Sequence, residues 1–376
     1  MGNCRSEKLM RNRTSLYSRV QMKFCVPLNR AALPLFLILC TFSFQIEAQE
    51  LKKEFIYEHA SFPSAHASTI VEINKGEYLA AWFGGTAEGN PDVAIWSSRR
   101  TNAGWSKPEE MAREIGVPCW NPVFFHSKGG RLWLYYKFGP NVREWSAGRR
   151  YSDDEGKTWS KPEHLPAGVY GPIRAKPLLM ADGSIVSGTS VESYQSWATW
   201  VEHSTDNGLT WTRTGPITLP ELRVLPPIEG TEKTRAIGLI QPSVISLGGK
   251  HLRMYMRSST QIGKICIADS TDDGLTWTDA RKLDIPNPNS GIDAVRLKDG
   301  RVVLIYNDTP SGRTPLNLAV SNDGEHFRNF STIESEPGEF SYPALIQASD
   351  GDLHMTYTYN RKTIRYVVFP LASIPK

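Results

Sequence analysis

The chain has 376 residues, with 43 Lys and Arg against 39 Asp and Glu, a formal charge of +4. That length allows one large all-β domain or two smaller ones. So small an excess of charge, with no basic stripe interleaved with aromatics, argues against nucleic acid as a partner and leaves a neutral or anionic small molecule as the expected one.

Residues 1–49 read as a leader rather than as fold. Met22 opens MKFCVPLNRAALPLFLILCTFSFQIEAQ. Lys23 and Arg30 supply a positive n-region, Ala31 to Phe44 an apolar h-region, and Ala48 a small residue for cleavage. This is the pattern of a secretory signal, too short and wrongly flanked for a spanning helix. It predicts a secreted or periplasmic protein with no stable membrane insertion, and translation starting at Met22. Three of the five cysteines fall in the leader, which leaves Cys119 and Cys266 for one disulfide or two free thiols. No Cys/His spacing suits zinc, so no metal and no cofactor are expected.

Residues 50–376 carry two interleaved repeats. The first is S-x-D-x-G-x-T-W, present as SDDEGKTW (152–159), STDNGLTW (204–211) and STDDGLTW (270–277). SNDGEHF (321–327) is a shortened copy and SSRRTNAGW (97–105) a worn one. Asp and Gly at this spacing suit a tight turn with a side-chain-to-backbone hydrogen bond and a positive φ, and Trp suits a staple onto the sheet. These residues read as structural.

The second repeat is an apolar strand, a glycine turn and another apolar strand. Its copies are ASTIVEINKGEYLAAWF (67–83), PVFFHSKGGRLWLYYKF (122–138), PLLMADGSIVSGTSVE (177–192), PSVISLGGKHLRMYMR (242–257), AVRLKDGRVVLIYN (294–307) and PALIQASDGDLHMTYTY (343–359). Strand repeats of this period mean a β-propeller, and six copies mean six blades. The prediction is an all-β, six-bladed β-propeller with Asp-box turns, in one domain over 50–376. KKEFIYE (52–58) is expected to close the ring with the last blade. The chain is expected to be a monomer.

The repeat also aligns polar residues. His66, Asn121, Lys176, Gln241, Asp293 and Tyr342 each stand just before an inner apolar strand. Inner strands start around the axis, so these six are expected to converge on one mouth. The second strands end at the same face and bring Lys137, Glu192, Arg257, Asn307 and Arg361, with the Asp boxes at the opposite face. Such a ring is costly to bury unless its members are paired or bind something. Trp82, Trp120, Trp145 and Trp197 are candidates to stack on a ligand, although blade packing is the commoner use of each.

These motifs resemble the sialidase superfamily, in its branch of Asp-box (BNR) repeat proteins, over roughly residues 60 to 370. The resemblance implies three arginines on a sugar carboxylate, a Tyr nucleophile activated by a Glu, and an Asp acid/base. MYMRSS puts Arg257 on the second arginine, PSGRTPLNLAVSNDG puts Arg313 on the third, and EFSYPAL puts Tyr342 on the nucleophile. Three departures stand out. FPSAHAST has His66 where the first arginine belongs, and LIQPSVI has Gln241 where the activating Glu belongs. Only Glu88 and Asp92, in GGTAEGNPD, lie in the loop of the acid/base.

A Tyr is a weak nucleophile unless a base takes its proton, and Gln cannot do so. The favoured reaction is therefore elimination from a carboxylated sugar. Arg257 and Arg313 would hold a uronate, assisted by Lys137 or Lys176, with Asn121, Asp293 and Arg235 in the same substrate-binding set. His66 and Tyr342 would share the proton transfers. A glycosidase or sialidase acting on acidic glycans, with carboxylates from Asp293, Glu88 or Asp92, is the alternative. A glycan-binding propeller without catalysis is the third reading. In each, the partner is an acidic oligosaccharide or polysaccharide.

Overall fold

Alternation of side chains along each apolar run makes one face of every strand suitable for burial against the next sheet, and the hairpin turns keep sequential strands adjacent. In the computed structural model, which describes residues 51–194, 196–223 and 236–376, this produces six antiparallel blades in chain order. The leader and Arg235 lie outside the described residues.

The first blade is built from Ser64–Asn74, Glu77–Gly85 and Ala94–Thr101, with the short strands Gly104–Trp105 and Glu109–Ala112 on its outer edge. Its inner strand is Ser64–Asn74. The inner strands of the next five blades are Cys119–His126, Leu178–Leu179, Ile237–Gly248, Asp293–Arg296 and Phe340–Gln347. The third and fourth blades are joined into one hydrogen-bonded sheet by a short parallel link, Ser196 with Ile237 and Trp197 with Gly238.

Closure follows the sequence expectation. Lys52–Phe55 is the outer strand of the sixth blade, pairing antiparallel with Thr363–Phe369 in the register Lys52 to Val368. The first and last described strands are thus tied together, so the ring leaves only short sheet edges. Between neighbouring blades the apolar faces merge. Val303 and Leu318 of the fifth blade lie buried in one cluster with Leu345 and Met355 of the sixth. Cys119 and Cys266 are buried, unpaired thiols in the second and fourth blades.

The Asp boxes behave as staples. Asp206 accepts hydrogen bonds from Ser204 Oγ (2.8 Å), the Thr210 amide (2.8 Å) and Thr210 Oγ1 (2.5 Å). Asp154 and Asp272 repeat this pattern. The residue before each box glycine is also left-handed, with φ of 63° at Glu155, 64° at Asn207 and 61° at Asp273. Trp159 stacks on Phe124 of its own blade at 5.8 Å, whereas Trp211 meets Tyr135 of the preceding blade edge-on at 6.2 Å. The boxes sit beside the turns of the inner hairpins: Asn207 donates to the Lys128 carbonyl and the Asp273 amide to the Lys250 carbonyl. They are therefore at the end opposite to where the inner strands begin.

Against desolvation, which acts to raise it, the hydrogen bonds from Thr210 and Ser204 hold the Asp206 carboxyl down to about 2. Its contribution to stability is present above the ordinary carboxylate value and is lost as pH falls through about 2. Asp206→Ala is expected to lower stability by about 0.5–3 kcal/mol, as for a typical lost turn interaction, and to leave ligand specificity unchanged. Thermal melting and turnover of the folded variant measure both, and a large loss of turnover would contradict a purely structural box.

Candidate active site

The site is made by a defect repeated in the inner strands. Pairing with the second strand breaks after His66, Trp120, Ile240 and Ser341 and resumes at Thr69, Val123, Ser243 and Ala344. Two residues bulge out each time, and the first is left-handed: Ala67 (φ 55°), Asn121 (40°), Gln241 (53°) and Tyr342 (51°). A β-bulge re-aims a side chain and often marks a functional rim. For a bulky aromatic such as Tyr342 a positive φ is a strained, uncommon state, the kind that persists where function needs it.

The hairpin turns fix the equivalent positions in the other two blades. The turn amides of Ser127, Met180, Leu297 and Ala348 each donate to the carbonyl four residues on. Six residues before these four stand Asn121, Arg174, Gly291 and Tyr342. The ring at the mouth is therefore Ala67, Asn121, Arg174, Gln241, Gly291 and Tyr342. Gly291 leaves its place open, since a Cβ there would stand 3.5 Å from Tyr342 Cγ and 3.6 Å from Gln241 Oε1.

This corrects the expected ring at three positions. Lys176 and Asp293 lie two residues further along their strands and pair with each other, Nζ to Oδ2 at 2.9 Å. Asp293 also accepts from Ser243 Oγ (2.7 Å) and the Leu345 amide (2.8 Å), so its oxygens are occupied by the fold. In the second, fourth and sixth blades Pro follows the bulged residue, whereas in the third the Pro comes late, at Pro177, so that Lys176 and not Arg174 precedes it. His66 is one residue before the first blade's bulge, yet its ring packs on that of Tyr342, with centroids 4.3 Å apart.

Tyr342 is the hub. Its Oη accepts from Arg257 Nη1 at 2.6 Å. The same Nη1 donates to Gln241 Oε1 at 3.0 Å, and Arg257 Nε donates to Asn289 Oδ1 at 2.8 Å. The guanidinium carbons of Arg174, Arg257 and Arg313 lie 5.4, 5.5 and 5.4 Å from the Tyr342 ring centroid. Arg313 is steadied by Glu339 at 2.9 Å, and Glu339 also accepts from Arg361 Nε at 2.9 Å. Arg361 in turn pairs with Glu88.

Arg174 is buried and donates through Nη2 to the Pro343 carbonyl, but among the described residues its Nε and Nη1 find no hydrogen-bond partner. Both ring nitrogens of His66 are likewise buried and unpartnered. Unsatisfied buried donors are rare enough to call for an explanation. Among the described residues, Asn121 makes no side-chain hydrogen bond either.

These charges set the protonation states. Burial, then the charges of Arg361, Arg313, Arg174 and Arg257, press His66 well below its usual 6.5, so the imidazole is neutral. Burial raises the Tyr342 phenol, but Arg257, Arg313 and a hydrogen bond from Gln241 outweigh it and hold the phenol below its usual 10.0. The phenol is thus eased toward ionisation by arginines, with no carboxylate bonded to it.

Other expected members do different work. Asp92 accepts from the Thr86 amide (2.8 Å) and Thr86 Oγ1 (2.7 Å), closing its own loop, and the Thr86 hydrogen bond keeps its carboxyl ionised. That fits a loop staple rather than a general acid. Lys137 is fully buried and donates to the Pro172 carbonyl at 2.9 Å, supporting the segment that leads to Arg174 rather than facing a ligand. Trp82, Trp120 and Trp145 are buried in packing, with Trp82 stacked on Tyr57 at 5.0 Å. Trp197 lines a cavity, beside Glu192 and Arg143.

A spectrophotometric titration checks the electrostatics. The difference between the native protein and Tyr342→Phe should contain one phenolate that appears below pH 10.0. A phenol ionising above that value would remove the arginine effect.

A search of curated proteins finds no match. Solved structures share the fold at low identity. A protein of unknown function from Dyadobacter fermentans superposes with a TM-score of 0.68 at 19% identity, covering 84% of this chain and 97% of that one. The NanB sialidase from Streptococcus pneumoniae gives 0.68 at 13%, covering 86% and 71%. The intramolecular trans-sialidase from Ruminococcus gnavus gives 0.64 at 13%, covering 86% and 99%. Residues 76–355 match the family described as BNR repeat-like domain, and the chain belongs to that family, on a six-bladed propeller of sialidase type.

Proposed function

We propose that this protein is a secreted or periplasmic carbohydrate-active enzyme that binds the carboxylate of an acidic sugar and cleaves or rearranges that sugar by elimination. The observation that carries the reading is the set of three guanidinium groups around Tyr342, one of which, Arg174, keeps two buried donors without partners. Clustered cations repel one another, and an anionic ligand with several acceptor oxygens relieves both the repulsion and the missing hydrogen bonds.

In this reading Arg257, Arg313 and Arg174 hold the sugar carboxylate. Neutralising it acidifies the neighbouring C–H. Tyr342, as phenolate, takes that proton. Gln241 is an amide because it must donate to the phenolate and accept from Arg257 without adding charge. His66, held neutral, serves as a hydrogen-bonding group on the wall beside Tyr342 rather than as a cationic acid. The similar structures named as sialidases support an acidic sugar as the ligand. The apolar segment Ala31 to Phe44 supports export, and N-terminal sequencing of the mature protein tests it.

Hydrolysis with Tyr342 as nucleophile is the second reading, favoured by the same lowered phenol, which is readied without a carboxylate base. A panel of acidic oligosaccharides followed by ultraviolet absorbance and mass separates the two. A new conjugated double bond means elimination, and a gain of water means hydrolysis. No product from any acidic sugar, with binding retained, would leave a binding propeller.

Two variants sharpen this. Arg313→Lys should weaken binding of acidic sugars far more than of their methyl esters, because a point charge replaces a planar fork; equal losses would remove the carboxylate from the reading. Gln241→Glu would place a carboxylate against Arg257 and Tyr342, compete for the guanidinium and disfavour the phenolate. Turnover of the acidic substrate should fall at least roughly tenfold, about 1.4 kcal/mol, with no cleavage of a sialoside gained. Sialoside cleavage unchanged or improved in the Glu variant would favour the hydrolase.

A further inference from the structure

Beside the arginine cluster lies a cavity. Val142, Arg143, Glu192, Trp197, Ser259 and Asn289 line a cavity of about 300 Å³, at the lower end of the range for small-ligand sites. Its link to the first site is direct. Asn289 borders the cavity and holds Arg257 Nε at 2.8 Å. Glu192 ends the strand Ile185–Glu192, and two residues before it Ser190 Oγ accepts from the Gln241 amide at 3.3 Å. Glu192 thus sits on the third blade, two residues along the strand that meets the Gln241 backbone, within reach of the Arg257 charge.

Its wall is rigid where a sugar would lie. Trp197 is fixed at the junction of the third and fourth blades by the pairing Trp197 with Gly238. Only glycine fits there: Gly238 has φ 150°, and a Cβ would stand 1.9 Å from the Trp197 carbonyl oxygen. A half-buried indole beside a carboxyl and an asparagine suits the apolar face and hydroxyls of a neutral sugar.

Glu192 itself is the unused group. Its side chain is buried at the cavity wall, yet among the described residues none hydrogen-bonds it. A partnerless buried carboxylate is costly, so the acid form is favoured. Burial pushes the carboxyl up to about 7, with Arg257 and Arg143 pulling the other way. At neutral pH a large share of it carries a proton.

We infer that this cavity is the leaving-group subsite, and that the carboxylic acid of Glu192 gives its proton to the oxygen that departs. The inference rests on the elimination reading above and adds its acid. The C–H pair next to the carboxylate becomes the new C=C bond as its proton passes to the Tyr342 phenolate. The neighbouring C–O bond breaks, its electron pair goes to oxygen, and the Glu192 proton joins that oxygen. The cycle ends with a phenol and a carboxylate, which exchange one proton through water to reset the site.

The test compares leaving groups. One probe is a uronate bearing a neutral sugar at O4, the other the same uronate bearing a 4-nitrophenyl ether at O4, which departs without a proton. Glu192→Gln should lower turnover of the first at least roughly 100-fold, the scale of a positioned general acid, and of the second less than about threefold. Equal losses on both, or none on either, would overturn the inference. The native protein gives an independent reading that needs no variant. Turnover of the sugar-bearing probe should fall as pH rises through about 7, while the aryl probe shows no such limb, and parallel profiles would overturn it. Failure of the underlying reading looks different: the native protein would then add water, seen by mass, and the same alkyl-to-aryl comparison made on glycosides would still decide the role of Glu192.

Discussion

The site depends on one backbone constraint, the left-handed bulge near the start of the inner strands. Without it the strand would keep strict alternation, and the side chains of Asn121, Gln241 and Tyr342 would follow the pleat instead of turning to the mouth. Each non-glycine residue held at φ near 50° costs on the order of 1–3 kcal/mol. That cost is borne by the sheets on both sides of each bulge, which fix the register before and after it. The propeller is thus a rigid frame that can hold strained residues in a ring, and the first blade shows the tolerance of the design, since Ala67 occupies the bulge and His66 reaches the centre from one residue earlier.

The second constraint is electrostatic. Arg174, Arg257, Arg313 and Arg361 crowd around His66 and Tyr342. The fold offsets part of that charge with Glu339, shared by Arg313 and Arg361, and with Glu88 on Arg361. Among the described residues Arg257 hydrogen-bonds only neutral partners, Gln241, Asn289 and the Tyr342 phenol. Arg174 is given a single backbone carbonyl. The uncompensated cations are therefore those nearest Tyr342, and the same imbalance keeps His66 neutral and eases the phenol toward phenolate. One charge arrangement thus governs both ligand preference and proton chemistry. Gln241 fits this arrangement because an amide is the group of that size that bonds both neighbours without cancelling the field.

The division of the carboxyls follows the same logic. Asp92 and Asp293 are saturated with hydrogen bonds from the fold and serve as staples. Glu339 and Glu88 are consumed by arginines. Among the described residues, Glu192 alone of these acids has neither an ion pair nor a hydrogen bond, and burial pushes its carboxyl up to about 7. Chemistry in such a site is assigned less by residue type than by which groups the fold has left unsatisfied.

The sequence by itself determined the architecture. Two interleaved repeats, one with turn chemistry and one with strand alternation, define the blade, its copy number and the end at which the boxes lie, because turn residues and apolar periodicity act locally. The short fragments around Arg257, Arg313 and Tyr342 also led to residues that do meet. Only the tertiary structure decided the rest. Arg174 was hidden because its blade carries proline two residues late, and a bulge inserts residues without any signature that alternation can register. Lys176, Asp293, Lys137 and Asp92 looked available because a sequence states that a residue is charged but not who its neighbour is. Glu192 lay at the end of an expected strand, and its distinction came from what burial withholds, a partner and water, which are properties of packing between blades far apart in the chain.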